Sequence, residues 1–330
     1  MAILSFSENS FTGSDHPCFT YSPTSRRSKC STCHGTCSVD ACLARWGGCE
    51  RWRSKTHLGY NRLEADDREG WEFVASLSNC SQLQMLLLNN NPGFTGEMPS
   101  YVVNLSTTSN GAGLFNTNLS GQIPSSIGNL STLTNLDAYN SNLQGPIPSS
   151  IGKLNNLVGL DLSINQLSGY IPESIGEWTV LQQLWLDDNL FERNIPQSLN
   201  NIKGLSVLNL SMNKLSGVIP DAIGNINNLQ QLYLAHNNFS GPIPAVLQNL
   251  TSLSELDVSF NNLQGEVPSR GIFSVGGLHL RTQREQNDEG KPENTRRERR
   301  NTQREERGRE PKGQKSSPPS PWAVFIGKVG

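Results

Sequence analysis

Leu157-Val158-Gly159-Leu160-Asp161-Leu162-Ser163-Ile164-Asn165-Gln166-Leu167-Ser168-Gly169-Tyr170-Ile171-Pro172-Glu173-Ser174-Ile175-Gly176 decides the fold. Shifted by 24 residues, the same order returns as Leu181, Leu184, Leu186, Asn189, Phe191, Ile195, Pro196 and Leu199. It returns again from Leu205, from Leu229 and from Leu253. The prolines keep the count: Pro124, Pro148, Pro172, Pro196, Pro220, Pro244 and Pro268 follow one another at steps of 24, and Pro99 precedes them. Chance does not hold such a register, and a fixed period of this size marks a stacked-repeat architecture.

The spacing has a physical meaning. Leu-x-Leu with alternate side chains inward is a short strand. The Asn is a turn residue whose amide reaches backbone groups, so Asn at one depth in every coil predicts a buried ladder. Gly and Pro then turn the chain. The Ile and Leu that follow return along the outside in irregular or 3₁₀ form. One coil buries too little apolar surface to stand alone, so only the stacked array is stable.

This pattern resembles the plant-type leucine-rich repeat, which Leu-x-Gly-x-Ile-Pro distinguishes. The match covers residues 81–275 as eight repeats. The fold class it implies is α/β: a leucine-rich repeat solenoid, a curved right-handed superhelix with a parallel β-sheet on the concave face and an irregular or 3₁₀ convex side. Two segments add to the resemblance. One is Asn61-Arg62-Leu63-Glu64-Ala65-Asp66-Asp67-Arg68-Glu69-Gly70-Trp71-Glu72-Phe73, followed by Ser78-Asn79-Cys80-Ser81. The other is Leu256-Asp257-Val258-Ser259-Phe260-Asn261-Asn262-Leu263-Gln264-Gly265-Glu266-Val267-Pro268, followed by Gly271-Ile272-Phe273. Both are similar to the extracellular domain of a plant receptor-like kinase subfamily that includes immune receptors. The resemblance implies a cell-surface or extracellular place and a glycoprotein that takes part in defence or developmental signalling.

The pattern frays at its start. Ser109 and Ala112 stand where Leu is expected, which predicts irregularity around 105–116. Residues 57–80 read as an irregular repeat with a short helix near Trp71–Leu77. Leu4, Phe6, Asn9, Phe11 and Gly13 fit the spacing as a fragment inside a segment, 1–56, that otherwise reads as poorly ordered. That segment holds Cys18, Cys30, Cys33, Cys37, Cys42 and Cys49. Three readings stay open. Cys30-x-x-Cys33-His34 has the spacing of a c-type haem attachment or, with Cys37, of a metal knuckle. The cysteines also suit disulfides of an extracellular cap. The plainest reading is an unstructured or inserted segment. We assign no metal and no cofactor.

Charge divides the chain in the same places. Residues 1–71 are net +1, 72–275 net −8 and 276–330 net +5, within a total of −2. The overall balance points to no nucleic-acid or membrane-surface partner. Residues 276–330 read as a disordered charged tail, with Thr-Gln-Arg-Glu at 282–285 and again at 302–305. No stretch reaches the ~18–20 apolar residues that cross a bilayer. The first ten residues lack the basic and apolar regions of a signal peptide. There is no Gly-rich phosphate loop, His-Arg-Asp or Asp-Phe-Gly, so kinase activity is not carried over.

Nor is there a catalytic constellation, and the chain is not read as an enzyme. Function in such an array belongs to the concave sheet, at the outward positions of the strands. One column there runs Asp137, Asp161, Trp185, Asn209, Tyr233, Asp257, and its neighbour Tyr139, Ser163, Asp187, Ser211, Ala235, Ser259. Coils lie ~4.8 Å apart, so Trp185 and Tyr233 fall roughly 10 Å from each other. Exposed aromatics beside carboxylates suit an extended, partly basic peptide. The candidate ligand-binding residues are Tyr139, Asp161, Trp185, Asp187, Asp188, Tyr233 and His236. Ordinary sheet-surface aromatics are the plainer reading of Trp185 and Tyr233. The expected partner is a peptide, protein or microbial pattern, with a co-receptor beside it. Two alternatives are a soluble inhibitor-type repeat protein and a truncated gene product without independent function. Seven Asn-x-Ser/Thr sequons, at Asn79, Asn104, Asn118, Asn129, Asn209, Asn238 and Asn249, are glycosylation candidates. A glycan on Asn209 would obstruct the concave face.

Overall fold

A computed structural model of the chain describes residues 3–5, 55–57, 59–60, 64–65, 71, 85–98, 111–274 and 278–282. The chain divides into two units, Met1–Arg281 and Thr282–Gly330. The described residues belong to the first, apart from Thr282.

The repeat Leu-x-Leu segments pair as parallel strands in sequence order. The strands are Ile3–Ser5, Lys55–His57, Met85–Leu87, Gly111–Gly113, Asn135–Asp137, Gly159–Asp161, Gln183–Trp185, Val207–Asn209, Gln231–Tyr233, Glu255–Asp257 and His279–Arg281. The expected leucine spine is present. Leu136, Leu160, Leu184, Leu208, Leu232, Leu256 and Leu280 are aligned partners across successive strands. Leu160, Leu184, Leu208 and Leu232 are 1 % exposed or less, so each coil delivers its leucine to one continuous core.

The asparagine ladder is also present. Asn165 Oδ1 accepts the backbone N–H of Leu143 at 3.0 Å, and its Nδ2 donates to the carbonyl oxygens of Ala138 (2.9 Å) and Leu162 (3.0 Å). Asn189, Asn213, Asn237 and Asn261 repeat the pattern one coil further on each time. Each amide thus satisfies backbone groups of two coils that would otherwise be buried unpaired. Where the sequence has Thr117 and Ser141 instead, the two hydroxyls pair at 3.1 Å and Thr117 donates to the Leu114 carbonyl.

A second sheet departs from the expected turn. Ser120–Gly121, Asn142–Gly145, Gln166–Gly169, Leu190–Arg193, Lys214–Val218, Asn238–Gly241 and Asn262–Leu263 pair in parallel, again in sequence order. The reason lies in the exact period: identical coils leave the backbone groups of Asn-x-Leu-x-Gly facing their counterparts one coil away, and pairing satisfies them. Beyond it, each Ile-Pro leads into a five-residue 3₁₀ helix, from Ser125–Asn129 to Ala245–Asn249. The proline sits just before the helix in extended geometry, where its missing N–H costs nothing. Successive helices approach closely: a Cβ on Gly152 would stand 2.5 Å from the Ser174 carbonyl oxygen.

Three further strands extend or continue the array. The sheet does not stop at 275. His279–Arg281 continues it, because Leu280 lies one period beyond Leu256. Ile3–Ser5, from the repeat-like fragment, pairs in register with Lys55–His57, so these two strands are adjacent coils. Near the expected irregularity, Gly111–Gly113 keeps the register, with Ala112 aligned between Leu86 and Leu136. The helix expected at 71–77 lies outside the described residues, except that Trp71 is buried against Phe94 with ring centroids 5.1 Å apart. All seven cysteines, and with them the haem, metal and disulfide readings, lie outside the described residues. So does the charged tail beyond Thr282. Among the described residues no helix is long and apolar enough to cross a membrane.

Candidate functional site

The register builds the concave face directly. Asp137, Asp161, Trp185, Asn209, Tyr233, Asp257 and Arg281 are partners in one row across seven strands. Residues two apart on a strand share a face, so Asn135, Gly159, Gln183, Val207, Gln231, Glu255 and His279 form the row beside it.

Several carboxylates of the row are held locally. Asp161 Oδ1 accepts the N–H of Ser163 at 3.0 Å and its hydroxyl at 2.6 Å. Asp257 Oδ1 does the same with Ser259, at 3.1 and 2.6 Å. Asn209 copies the first bond, to the Ser211 N–H at 3.1 Å. These contacts explain Leu-Asp-Leu-Ser: the Asp caps the strand end, and the Ser supplies a second donor.

Two clusters stand out at the carboxy-terminal half. Tyr233 donates its hydroxyl hydrogen to the Glu255 carboxylate, which also accepts from Gln231 Nε2 at 3.2 Å. Burial, then this bond, holds the Tyr233 phenol above its usual range. Arg281 Nη1 lies 3.8 Å from Asp257 Oδ2. His236 is half-buried and stacks on Phe260, centroids 4.0 Å apart and planes within 10°. Both residues occupy the left-handed region, with φ of 55° and 52°.

At the other end, Asp137 faces Asp161 across the strands. Burial first, and the Asp161 charge second, hold the Asp137 carboxyl well above the usual carboxylate range. Phe115 and Tyr139 stack beside it at 4.6 Å, planes within 8°.

Of the residues expected from sequence, Asp161, Trp185 and Tyr233 lie on the strands, with Tyr139, Asp187, Asp188 and His236 just past the strand ends. Exposure is less than expected. Trp185 is 8 % exposed and Asp161, Asp187 and Asp188 are 4 % or less, while Tyr233 is half-buried. Trp185 is therefore not open, and Tyr233 is open only in part. Asn135, Glu255 and Arg281 were not among the candidates. Stepping 24 residues from Gly159, Gln231 and Asp257 finds all three, once the array is carried past 275. Among the described residues no group of His, Cys, Asp and Glu is placed to hold a metal ion. Asn118, Asn129, Asn238 and Asn249 are exposed, and Asn209 is half-buried within its strand.

The leucine-rich repeat family matches residues 132–154, 156–178, 181–239 and 203–263. No curated protein matches the chain. Among solved structures, the chain is similar to the plant peptide hormone receptor RGFR1 in complex with RGF2. Identity is 35 %, coverage is 70 % of this chain and 36 % of that one, and the TM-score is 0.65. A TDR receptor gives 30 % identity, coverage of 70 % and 38 %, and a TM-score of 0.63. The Arabidopsis receptor kinase HAESA, in complex with the peptide hormone IDA and the co-receptor SERK1, gives 30 % identity, coverage of 64 % and 39 %, and a TM-score of 0.51. The chain thus spans less than two fifths of the length of each of these structures. With its two parallel sheets, its 3₁₀ turns and these matches, the chain is a leucine-rich repeat protein that resembles the ectodomains of plant leucine-rich repeat receptor kinases.

Proposed function

We propose that the array is a non-catalytic recognition module that binds an extended peptide or protein segment along its concave sheet, as part of a receptor at the cell surface. What carries this reading is the single row of Asp137, Asp161, Trp185, Asn209, Tyr233, Asp257 and Arg281. It sets acidic, aromatic and hydrogen-bonding groups at strand spacing, which matches an extended backbone laid across the strands. The resemblance to receptors solved with peptide hormones supports the same choice. A co-receptor that contacts both the bound peptide and the array fits the complex of HAESA, IDA and SERK1. The contact residues in this reading are Tyr139, Asp161, Trp185, Asp187, Asp188, Tyr233 and His236. Glycans belong on the exposed sequons Asn118, Asn129, Asn238 and Asn249, away from the sheet, with Asn209 bare.

The test is selection from a display library of random peptides on the full chain, followed by binding of the enriched peptides to Trp185→Ala and Tyr233→Ala. The reading expects each substitution to weaken binding by about tenfold or more, the scale of an aromatic anchor. Unchanged affinity in both variants removes this face as the site.

A further inference from the structure

Around Asp137 the sheet face is a recess defined by what its neighbours lack. The strand partners of Asp137 are Gly113 and Asp161, and those of Asn135 are Gly111 and Gly159. Three of the four positions flanking Asn135 and Asp137 therefore carry no side chain. The Leu87 side chain fills the place of one at Gly113, where a Cβ would stand 2.7 Å from Leu87 Cδ2, so the open part of the recess lies beside Asn135, at Gly111 and Gly159. Beyond Gly159, Gln183 is the next residue in the row. The stacked rings of Phe115 and Tyr139 close the recess on the side of the strand ends.

Three oxygens beside it are acceptors without donors. Asp137 is 2 % exposed, and its Oδ2 has no hydrogen-bond partner. Asn135 Oδ1 and Gln183 Oε1, on either side of Gly159, are buried in the same condition. Buried acceptors without donors are costly, and a set of them within three successive strands calls for a ligand rich in N–H groups. The strands on either side of Asn135–Asp137, which are Gly111–Gly113 and Gly159–Asp161, carry no basic residue. The basic residues of 72–275 are Lys153, Arg193, Lys203, Lys214 and Arg270, and none lies on a strand of this sheet.

We propose that this recess is the subsite for one arginine side chain of the bound peptide. A guanidinium carries five donors in a plane, enough for oxygens on separate strands, and it stacks on an aromatic face. Lysine offers a point charge and no plane. Burial first, and the neighbouring Asp161 charge second, raise the proton affinity of Asp137, and a cation held between the two carboxylates would offset both.

The subsite rests on the concave face being the ligand face, and the experiment separates the two. Random peptides are selected on the full chain, on Asp137→Asn, on Tyr139→Leu and on Asp221→Asn, whose residue begins a convex 3₁₀ helix. Thermal unfolding checks that each variant is folded. The wild type and Asp221→Asn should enrich arginine at one peptide position about tenfold, the scale of a charge-assisted hydrogen bond. Asp137→Asn and Tyr139→Leu should each lose most of that preference. Acetyl-arginine amide should compete with the enriched peptide, and its uncharged isostere acetyl-citrulline amide should not. Enriched peptides without arginine overturn the subsite and leave the concave-face reading standing. So does an arginine preference that survives both variants. If no peptide is enriched on the wild type, both fall together.

Discussion

Asn189 Oδ1 accepts the backbone N–H of Leu167 at 3.0 Å, across a gap of 22 residues in sequence. The same amide donates to the carbonyl oxygens of Leu162 and Leu186, at 3.0 and 3.2 Å. One side chain, 5 % exposed, thereby ties its own coil to the one before it. Replacing it by Ala leaves an N–H and carbonyl groups buried and unpaired. Asn189→Ala should cost about 3 kcal/mol in urea unfolding, on the scale of one to two unsatisfied buried groups. A loss below about 0.5 kcal/mol would show that the ladder contributes little.

Ile164 has φ of 55°, a strained conformation for a β-branched residue. The residues at the same point of earlier coils are Asn90, Asn116 and Asn140, also at positive φ. Their amides form a surface chain: Asn116 Nδ2 donates to Asn90 Oδ1 at 3.0 Å, and Asn140 Nδ2 to Asn116 Oδ1. Ile164→Asn relieves the strain and adds a rung to that chain. It should raise stability by about 1 kcal/mol, read as a higher denaturation midpoint. A lower midpoint would mean that Ile164 packing outweighs the backbone cost.

The 3₁₀ helices stack without space between them. Gly152→Ala places a methyl group 2.5 Å from the Ser174 carbonyl oxygen, and two coils must separate to admit it. The expected cost is about 2 kcal/mol, the range of an overpacked core. Gly169→Ala meets only Pro146 Cβ, at 3.7 Å, but at φ of 77°, so its cost comes from the backbone and should be nearer 1 kcal/mol. Equal effects would remove the steric account.

Asp137 gives a pH dependence with a definite sign. Its carboxyl is raised above the ordinary value of 3.8 by burial and by Asp161. Below that value the residue is protonated in both folded and unfolded chains and costs nothing. As pH rises above it, the unfolded chain releases the proton first, so the contribution of Asp137 to stability falls until the folded carboxyl also ionises. Asp137→Asn removes this loss. The Tm difference, variant minus wild type, should be smaller at pH 4 than at pH 7, growing in favour of the variant. A difference that is constant with pH would contradict the assigned shift.

Much of the fold was legible because one signal repeats. Leu160 and its equivalents fix the strand, the core side and the coil order at once, and Asn165 predicts its own ladder. The second sheet was not legible, since Gly169 and Pro172 read locally as turn residues. Its strands exist only because the same segment recurs beside itself. His279–Arg281 was hidden for the opposite reason: it keeps Leu280 but lacks the Leu, Asn and Gly that flag the other coils, and it opens into charged sequence. For the site, the period gave the rows and therefore Trp185 and Tyr233. It gave no measure of burial, because alternation tells which way a side chain leaves the strand and not what surrounds it. Asp137 shows the difference: its column was plain, and its proton affinity depended on an environment that no spacing encodes.

The claim at the centre is that ligand lies across the concave strands. A peptide enriched on the full chain, carrying a photo-crosslinking group at successive positions, tests it most directly when the adducts are mapped by mass spectrometry. The account predicts adducts on the strand rows from Asn135–Asp137 to Glu255–Asp257, advancing one coil for every one to two peptide residues. Adducts confined to the 3₁₀ helices, or to the second sheet around Tyr170 and Val218, would contradict it.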